Sequence, residues 1–244
     1  MDSGLSFCLL TILFNIYIKQ QFMDEYKEKR TPKNPIKFSV QLNPEQKDAK
    51  AIILENTITI LKGQAGSGKS MLAAQVALDL LFKHEIEKII ITRPAVTSGE
   101  DIGFLPGSKD EKLAPFTMPV YDNMFRIYNK EKIEKLIEEG QIEVIPVGFM
   151  RGRNMSDCLV IVDEAQNVTH TQMELLLGRL CKGSKVIICG DVAQIDLKDK
   201  KQSGFDFICK NFTDVKGFAV VTLKTNHRHQ IVEDIIHIYA NYRS

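Results

Sequence analysis

The chain contains 244 residues, of which 44% are hydrophobic and 26% are charged. This length and composition predict one large domain or two small ones, with ample apolar side chains to build a core. The 32 Lys and Arg residues are balanced by 31 Asp and Glu residues, so the formal net charge is +1. No global basic excess therefore indicates nucleic acid as a partner, although a local basic patch is compatible with this charge.

The cysteines indicate buried thiols rather than a disulfide framework. They are odd in number and contain no C-x-x-C pair: Cys8, Cys158, Cys181, Cys189 and Cys209. Cys158 and Cys189 lie in or beside apolar, strand-like runs, as buried thiols do. This usage suits a reducing cytosol, and we expect a cytoplasmic protein. The histidines are scattered, and no carboxylate or cysteine cluster near His227 and His229 supports a metal site.

The N-terminal region carries an uncharged apolar run of 14 residues from Leu5 to Ile18. As a helix it measures about 21 Å, which is too short to cross a hydrocarbon core of roughly 30 Å comfortably. It also lacks the basic region and the cleavage site of a signal peptide. Three interpretations stay open: a helix packed on the domain, a start codon assigned before the true first residue Met23, and a membrane or targeting segment. The charged residues 24–37 predict a solvated arm, with phosphate contacts as the alternative.

One stretch fits the phosphate-binding pattern G-x-x-x-x-G-K-[ST] and consists of Gly63, Gln64, Ala65, Gly66, Ser67, Gly68, Lys69 and Ser70. A buried strand is predicted before it and a helix after it, at 57–61 and 71–82. In this context backbone amides and the helix N-terminus bind phosphate oxygens. Lys69 then reaches the β- and γ-phosphates, and the Ser70 hydroxyl ligates Mg²⁺. The alternative is an ordinary glycine turn capped by Ser70, which the flanking elements disfavour.

Two further predicted strands end in polar residues. The apolar run 159–162 leads into Asp163 and Glu164. In phosphate-loop enzymes an Asp in this position holds Mg²⁺ through water, and the following Glu orients or deprotonates the attacking water. A second apolar strand leads into Asp191 and then Gln194, whose amide can face a γ-phosphate; the alternative is a plain turn with an exposed amide. Ligands of open α/β sheets bind at the carboxyl ends of the strands, where these residues lie.

Strands and helices alternate along the rest of the chain. A helix is predicted to begin after the N-cap Asn43 and the first-turn Pro44, and to run through Leu54. A long connection at 95–119 is expected to be functional or disordered, because such lengths are uncommon in compact domains. The pattern predicts an α/β fold with a parallel sheet covered on both faces. Further strands are predicted at 88–92, 141–147, 185–191 and 219–223, and further helices at 121–139, 169–181 and 231–242.

Four arginines near predicted strand ends are candidates for binding anions. Arg93 ends the second strand, and Arg151 and Arg153 lie in the loop after the third. We interpret these three as nucleic-acid contacts, with structural ion pairs as the alternative. Arg228 follows the last strand, and its guanidinium can bind two γ-phosphate oxygens at once. The alternative for Arg228 is a structural role, capping the sheet edge or pairing with a carboxylate of the closing helix.

The motifs lie within longer strings, which are GQAGSGKS, VIVDEAQN, GDVAQID, MRGRNMSDCLVIVDEAQN and RPAVTSGEDIGFLPGSKDEKLAPFTMPVYDNM. With these strings the chain resembles the PhoH-like family of phosphate-loop ATPases over residues 42–239. The resemblance implies a RecA-like three-layer sandwich with a mainly parallel sheet, similar to the first core domain of superfamily-1 helicases. It implies an ATPase domain at 38–244 after an arm at 1–37, and it makes the helix-surface residue Gln46 an adenine ligand. The family usually has Thr-Arg and then a glycine two residues on, whereas this chain has Gly178, Arg179, Leu180 and Cys181 and so departs from the family pattern around Arg179.

Three functions follow from the motifs and the resemblance. The first is Mg²⁺-dependent ATP hydrolysis, coupled to RNA or single-stranded nucleic acid, with Lys69, Glu164, Gln194 and Arg228 as catalytic residues. The second is a nucleotide-dependent binding module with negligible turnover, which the intact Glu164 disfavours. The third is a helicase, which closes its site with a second RecA-like domain for which 244 residues leave no room. We therefore expect any translocation to require a homo-oligomeric ring, and we expect no membrane partner.

Overall fold

The computed structural model describes residues 36–94, 109–212 and 215–243. The apolar run at 5–18, the arm up to residue 35 and part of the long connection lie outside these ranges. The strands are β1 (Ile58–Gly63), β2 (Lys88–Arg93), β3 (Ile142–Pro146), β4 (Cys158–Val162), β5 (Lys185–Gly190) and β6 (Phe218–Leu223). The helices are α1 (Pro44–Glu55), α2 (Lys69–Phe82), α3 (Lys109–Ile127), α4 (Lys130–Glu138), α5 (His170–Leu177), α6 (Gly204–Asn211) and α7 (Gln230–Arg243).

The six strands form one parallel sheet in the order β3-β2-β4-β5-β1-β6. β5 lies between β4 and β1 and pairs with both. Because the three strands run in the same direction, the segments that follow them emerge together at one edge of the sheet. The phosphate loop, Asp163 and Asp191 follow these strands and converge at that edge, so the predicted α/β fold is confirmed.

Side chains alternate across the sheet and build two apolar layers. On β1, Leu61 joins a layer formed with α1, α2, α3 and α4, whereas Ile60 joins a layer formed with α5 and α6 on the opposite face. α2 lies in the first layer and is buried from Leu72 to Leu81. A helix that is apolar all round requires such cover. The two layers on either side of the sheet make the predicted three-layer sandwich.

The starts of α1 and α5 were predicted correctly because capping side chains mark them, whereas the end of α5 was not. α1 begins as predicted: Asn43 accepts a hydrogen bond from the Gln46 N–H, and the Gln46 side chain accepts one from the Asn43 N–H. α5 also begins as predicted, after the N-cap Thr169. However, the predicted end of α5 at Cys181 is wrong, because the helix ends at Leu177. The following segment instead runs beside Met155, and this tertiary pairing replaces further helical turns.

The prediction of a connection reaching residue 119 is wrong, since α3 already begins at Lys109. α3 contains Pro115 and Pro119, and proline in a helix interior removes a hydrogen bond and disfavours the helix. Packing outweighs this local preference, because Met124 and Ile127 on the same helix are completely buried against the first layer. The predicted helical region at 121–139 is confirmed as two helices, the second of which is α4.

The helix α6 was not predicted from the sequence. Its eight residues are too few for a clear 3.6-residue period, yet Ser203 caps its first turn and Phe205 is completely buried. α7 confirms the predicted closing helix, but three members of its expected apolar face, Ile235, Ile238 and Tyr239, are exposed among the described residues. Within the same ranges no helix is long and apolar enough to cross a membrane.

The close approach of α6 to β5 predicts that Gly190→Ala destabilises the fold. A Cβ atom at Gly190 would lie 2.6–2.9 Å from three ring carbons of Phe205, which is too close for a buried ring to accommodate. We expect the free energy of unfolding to fall by about 1–3 kcal/mol, as for other overpacked cores. Urea denaturation of the variant and the wild type measures this loss.

Gly148→Ala is the matched control, because no atom of the described residues lies within 4 Å of a Cβ built at that position. Its free energy of unfolding should stay within about 0.5 kcal/mol of wild type. Combining Gly190→Ala with Phe205→Leu should destabilise less than the sum of the single changes, since the smaller side chain makes room for the new methyl group. Equal effects at Gly190 and Gly148 would contradict the proposed steric cause.

Candidate nucleotide-binding site

The phosphate loop joins the end of β1 to the start of α2, as the motif predicts. Lys69 Nζ donates to the carbonyl oxygens of Gly63 at 2.7 Å and Gln64 at 2.9 Å, so the ammonium group folds back over its own loop. The hydroxyl of Ser67 is buried and has no hydrogen-bond partner in the described part of the chain. The free amides at the start of α2, the ammonium group and this hydroxyl together suit the phosphate chain of a nucleotide.

Ser70 and Asp163 bring two oxygen ligands together beside the loop. Ser70 Oγ donates to Asp163 Oδ1 at 2.6 Å, although the residues come from α2 and from the end of β4. A hydroxyl and a carboxylate are ligands that Mg²⁺ prefers, so this pair fits a magnesium site. Arg93 Nε lies 3.4 Å from Asp163 Oδ2, which is the ion-pair alternative named for this arginine. A nucleic-acid contact of Arg93 stays a prediction.

Glu164 has an unusual backbone conformation. Its φ of 52° and ψ of 38° lie in the left-handed region. Such a conformation costs about 1–3 kcal/mol in a residue other than glycine and is found preferentially at functional sites. The side chain is exposed and lines the same cavity as the phosphate loop. This backbone turn therefore holds the carboxylate at the mouth of the site instead of letting β4 continue.

The Asp191 carboxylate stabilises the turn after β5 through two hydrogen bonds. Asp191 Oδ1 accepts from the Ala193 N–H at 3.0 Å, and Asp191 Oδ2 accepts from Gln194 Nε2 at 2.6 Å. Gln194 is exposed, which was the alternative interpretation, yet it also lines the cavity with Gly190 and Asp191. The Gln194 amide therefore lies at the cavity and is hydrogen-bonded to Asp191. Its contact with a γ-phosphate stays a prediction.

A cavity of about 610 Å³ joins these parts and extends from the phosphate loop to α3. This volume lies within the range of small-molecule sites. Sequence reasoning missed several lining residues, because they follow no pattern and come from separate parts of the chain. They are Val40, Gln41, Asn123, Arg126, Gln166 and His227. Only the position of Gln166 two residues after Glu164 offered a signal.

Gln46 forms a wall of the cavity, although its amide already has partners. The side chain is 1% exposed, its Oε1 accepts from the Asn43 N–H at 3.1 Å, and its Nε2 lies 3.5 Å from His227 Nε2. A Cβ atom at Gly68 would lie 2.6 Å from that Nε2, so the amide lies directly against the phosphate loop. The structure thus gives Gln46 a capping role, and adenine recognition by Gln46 stays a prediction.

The segment after β6 crosses the same phosphate loop. The His227 N–H donates to the Gly66 carbonyl at 3.0 Å, and the Arg228 N–H donates to Asn226 Oδ1 at 3.0 Å. A Cβ atom at Gly66 would lie 2.7 Å from Arg228 Cγ, so only glycine permits this approach. The Arg228 side chain therefore lies over the phosphate loop of its own chain and lines its own cavity.

A carboxylate of α1 fixes the path of that segment. Glu45 Oε1 accepts from the Lys224 N–H at 2.7 Å, and Glu45 Oε2 accepts from the Thr225 N–H at 3.0 Å. These backbone hydrogen bonds lower the pKa of Glu45, since they favour its charged form. The start of α1 thus holds the chain that carries Arg228.

The loop after β3 presents an aromatic ring beside basic residues. Phe149 is 61% exposed, although its neighbours Val147 and Met150 are buried. Arg151 is exposed, whereas Arg153 donates to Glu143 Oε2 at 2.7 Å. Buried Val147 and Met150 and the Arg153–Glu143 hydrogen bond therefore anchor the loop, while Phe149 and Arg151 face solvent.

Glu143 explains why Arg153 is less available than Arg151. Burial opposes ionisation of Glu143, but hydrogen bonds from Lys88 and Arg153 outweigh it and hold the pKa of this carboxyl below its usual value. Arg153 thus forms the structural ion pair that was its alternative interpretation. Its contact with nucleic acid stays a prediction.

The cysteines in the described ranges are free thiols. Burial of Cys158 and Cys189 is confirmed. Cys189 lies next to the site, and complete burial raises the pKa of its thiol well above the ordinary value. Burial also raises the pKa of Cys209 to about 11. Among the described residues no group of three or more His, Cys, Asp or Glu side chains is arranged to hold a metal ion.

The amino-acid sequence is similar to known proteins over most of its length. The chain is 42% identical to a PhoH-like protein of Synechocystis over 189 residues, which are 77% of this chain and 58% of that protein. It is 38% identical to a PhoH-like protein of Bacillus subtilis over 222 residues, which are 90% of this chain and 70% of that protein. The chain thus spans little more than half the length of the Synechocystis relative.

The chain is also similar to a solved structure, that of the Pif1 helicase from Candida albicans. It is 19% identical, with a TM-score of 0.44, and the match covers 84% of this chain and 44% of that one. The sequence profile of the PhoH-like protein family matches residues 40–240. Because this match includes the phosphate loop and all six strands, the chain belongs to the PhoH-like family.

Proposed function

We propose that the protein is an ATPase that hydrolyses ATP at the cavity beside the phosphate loop and requires Mg²⁺. The observation that carries this proposal is the 2.6 Å contact between Ser70 Oγ and Asp163 Oδ1. It joins the phosphate loop to the carboxylate strand and creates an oxygen site next to Lys69. Membership of the PhoH-like family and its phosphate-loop fold support nucleotide binding at this place.

Each residue of the proposed site has its own role in phosphoryl transfer. Lys69 and the amides of the loop hold the β- and γ-phosphates, and Ser70 and Asp163 hold Mg²⁺. When bound, the ion neutralises charge that develops on the phosphate oxygens. Glu164 orients the attacking water and accepts its proton, while Gln194 faces the γ-phosphate. Positioning and electrostatics therefore supply most of the rate enhancement, as this chemistry demands.

The rival function is a binding module that holds nucleotide without turning it over. Such a module needs Lys69 and Ser70 but has no use for a carboxylate at the mouth of the cavity. The strained backbone at Glu164, which holds that carboxylate in the site, favours hydrolysis over simple binding.

Two substitutions test the hydrolytic function. Lys69→Ala should abolish turnover and weaken ATP binding, because the ammonium group interacts with both ground and transition states. Glu164→Gln should keep ATP affinity but lower the hydrolysis rate by about 10²–10⁴, the usual contribution of a general base. Phosphate release and equilibrium binding of a fluorescent ATP analogue measure the two effects.

Lys83→Ala is the matched lysine control, since Lys83 is partly exposed and pairs with Asp79 outside the cavity. It should turn over at the wild-type rate. Wild-type turnover by Glu164→Gln would refute the role assigned to that carboxylate. Tight ATP binding by a wild type that releases no phosphate would favour the binding module.

We further propose that Arg228 acts on the γ-phosphate in its own subunit. Its side chain lies over Gly66 of the same chain, held there by the contact of His227 with the loop. A guanidinium stays charged and binds two phosphate oxygens at once. This geometry supports action within one chain rather than on a neighbouring subunit.

Arg228→Ala should lower turnover by about 10³–10⁵ with ATP affinity near wild type, as for other arginine fingers. Mixing Lys69→Ala protein with Arg228→Ala protein then decides which subunit the arginine serves. Action within one chain predicts that the mixture stays inactive even though its subunits exchange, which labelled subunits can verify. Recovery of activity on mixing would instead assign Arg228 to a neighbouring site.

We also propose how the protein assembles and where it is located. A homo-oligomeric ring remains our proposal for any movement along nucleic acid, and sedimentation of the protein with ATP tests it. A cytoplasmic location is supported by the free thiols of the four cysteines in the described ranges, two of which are buried.

A second proposed function is binding of RNA or single-stranded nucleic acid at the loop after β3. The specific observation is the pairing of an exposed ring, Phe149, with an exposed guanidinium, Arg151, on one anchored loop. Single strands are bound by aromatic side chains that stack on bases and by cations that contact phosphates. β3 is an edge strand, and neither Phe149 nor Arg151 lines the nucleotide cavity.

Phe149→Ala and Arg151→Ala test this surface separately. Loss of the ring should weaken binding of a fluorescent single-stranded RNA by about 1–3 kcal/mol without changing the salt dependence. Loss of the arginine should weaken binding and reduce the salt slope by about one. Arg126→Ala serves as the control, because this arginine lines the nucleotide cavity instead. No binding by the wild type at low salt would refute the proposal.

A further inference from the structure

Gln166 is a buried amide with both ends engaged at the proposed active site. It is 2% exposed, and its Nε2 donates to Glu164 Oε2 at 2.7 Å. Its Oε1 accepts from the Asp191 N–H at 3.2 Å. Ser203 Oγ donates to the Gln166 backbone carbonyl at 2.8 Å and fixes the main chain. A single side chain thus bridges the segments that follow β4 and β5.

The bridge continues into the turn that carries Gln194. Asp191, whose N–H is held by Gln166, also accepts from Gln194 Nε2 at 2.6 Å through its carboxylate. Glu164, Gln166, Asp191 and Gln194 therefore form one hydrogen-bonded chain across the end of the sheet. All four residues line the cavity, and Gln166 is the most deeply buried of them.

Glu164 needs such a partner for two reasons. Its left-handed backbone is unfavourable and persists only where neighbouring groups fix it. Its exposed side chain also has several rotamers, and only some of them place an oxygen where water can attack a γ-phosphate. A buried amide has few rotamers of its own, so its donor hydrogen defines one position for the carboxylate oxygen.

We propose that Gln166 is a positioning residue that holds the Glu164 carboxylate and couples it to the Asp191–Gln194 turn. A γ-phosphate that draws Gln194 away from Asp191 changes the hydrogen bonding at Asp191, and Gln166 transmits that change to Glu164. This role rests on the proposed ATPase function. It adds a connection between the water-orienting residue and the residue that faces the γ-phosphate.

Gln166→Met removes both hydrogen bonds with little change in side-chain size. Single-turnover hydrolysis should slow by about 10- to 100-fold, as when other supporting contacts of a catalytic group are removed. ATP affinity should stay within about twofold of wild type, because both ends of the Gln166 amide bond to Glu164 and Asp191 and not to the residues assigned to the phosphates. A wild-type rate in this variant would overturn the proposal.

Asn167→Leu is the matched control, since it removes the neighbouring buried amide. Asn167 is 6% exposed and bonds to Asp196, which lies outside the cavity lining, through the Asp196 N–H at 2.8 Å. It should lose stability as Gln166→Met does, yet keep its hydrolysis rate within about twofold. An equal loss of rate in both variants would contradict the proposal, because the hydrolysis rate would then depend on a buried amide and not on contact with Glu164.

A double substitution shows whether Gln166 acts through Glu164. In a Glu164→Gln background, Gln166→Met should slow the residual hydrolysis by less than about twofold, because the group it positions is already gone. Gln166→Glu keeps an acceptor for the Asp191 N–H but places a second carboxylate beside Glu164. It should therefore be as slow as Gln166→Met. Fully additive losses would overturn the proposed route through Glu164.

Hydrogen exchange of the Asp191 amide tests the bridge without any turnover. Loss of its acceptor in Gln166→Met should speed this exchange by about two- to tenfold, as expected for one hydrogen bond. Asn167→Leu should leave it unchanged. If the wild type releases no phosphate but the exchange responds as expected, the ATPase proposal fails and the bridge stands. Unchanged exchange in Gln166→Met refutes the bridge whatever the activity.

Discussion

The parallel pairing of β4, β5 and β1 is the constraint on which the site depends. These three neighbouring strands run in the same direction, so the segments that follow them are forced to one edge of the sheet. The contact of Ser70 with Asp163 is a direct result, because it joins segments that are 93 residues apart in sequence. Separating these strands would therefore also separate Ser70 from Asp163.

Two distant segments close the site from the other side. The start of α1 contributes Glu45 and Gln46, and the chain after β6 contributes His227 and Arg228. Glu45 holds the backbone after β6, and His227 donates to Gly66 in the phosphate loop. Several separate segments therefore meet at the nucleotide cavity, and Arg228 reaches it because α1 and the phosphate loop hold its backbone in place.

Local signals identified most of the framework and the central part of the site. The phosphate loop was predicted from its glycine and lysine spacing, and Asp163 and Glu164 were predicted because they follow an apolar run in a chain that also carries that loop. The start of α1 was also predictable, since the capping pair of Asn43 and Gln46 lies within one turn of the chain. Failures occurred where packing outweighed local preference, as in α3, which runs through Pro115 and Pro119.

The sequence by itself determined the parallel α/β fold and the phosphate-loop motif, because periodicity, glycine spacing and caps act within a few residues. Only the tertiary structure decided how those residues are supported. It placed Arg228 over its own loop, paired Arg93 with Asp163, and tied Glu164 to Asp191 through Gln166. These contacts join residues on different strands, and no local pattern encodes them, since they depend on how the strands pack in space.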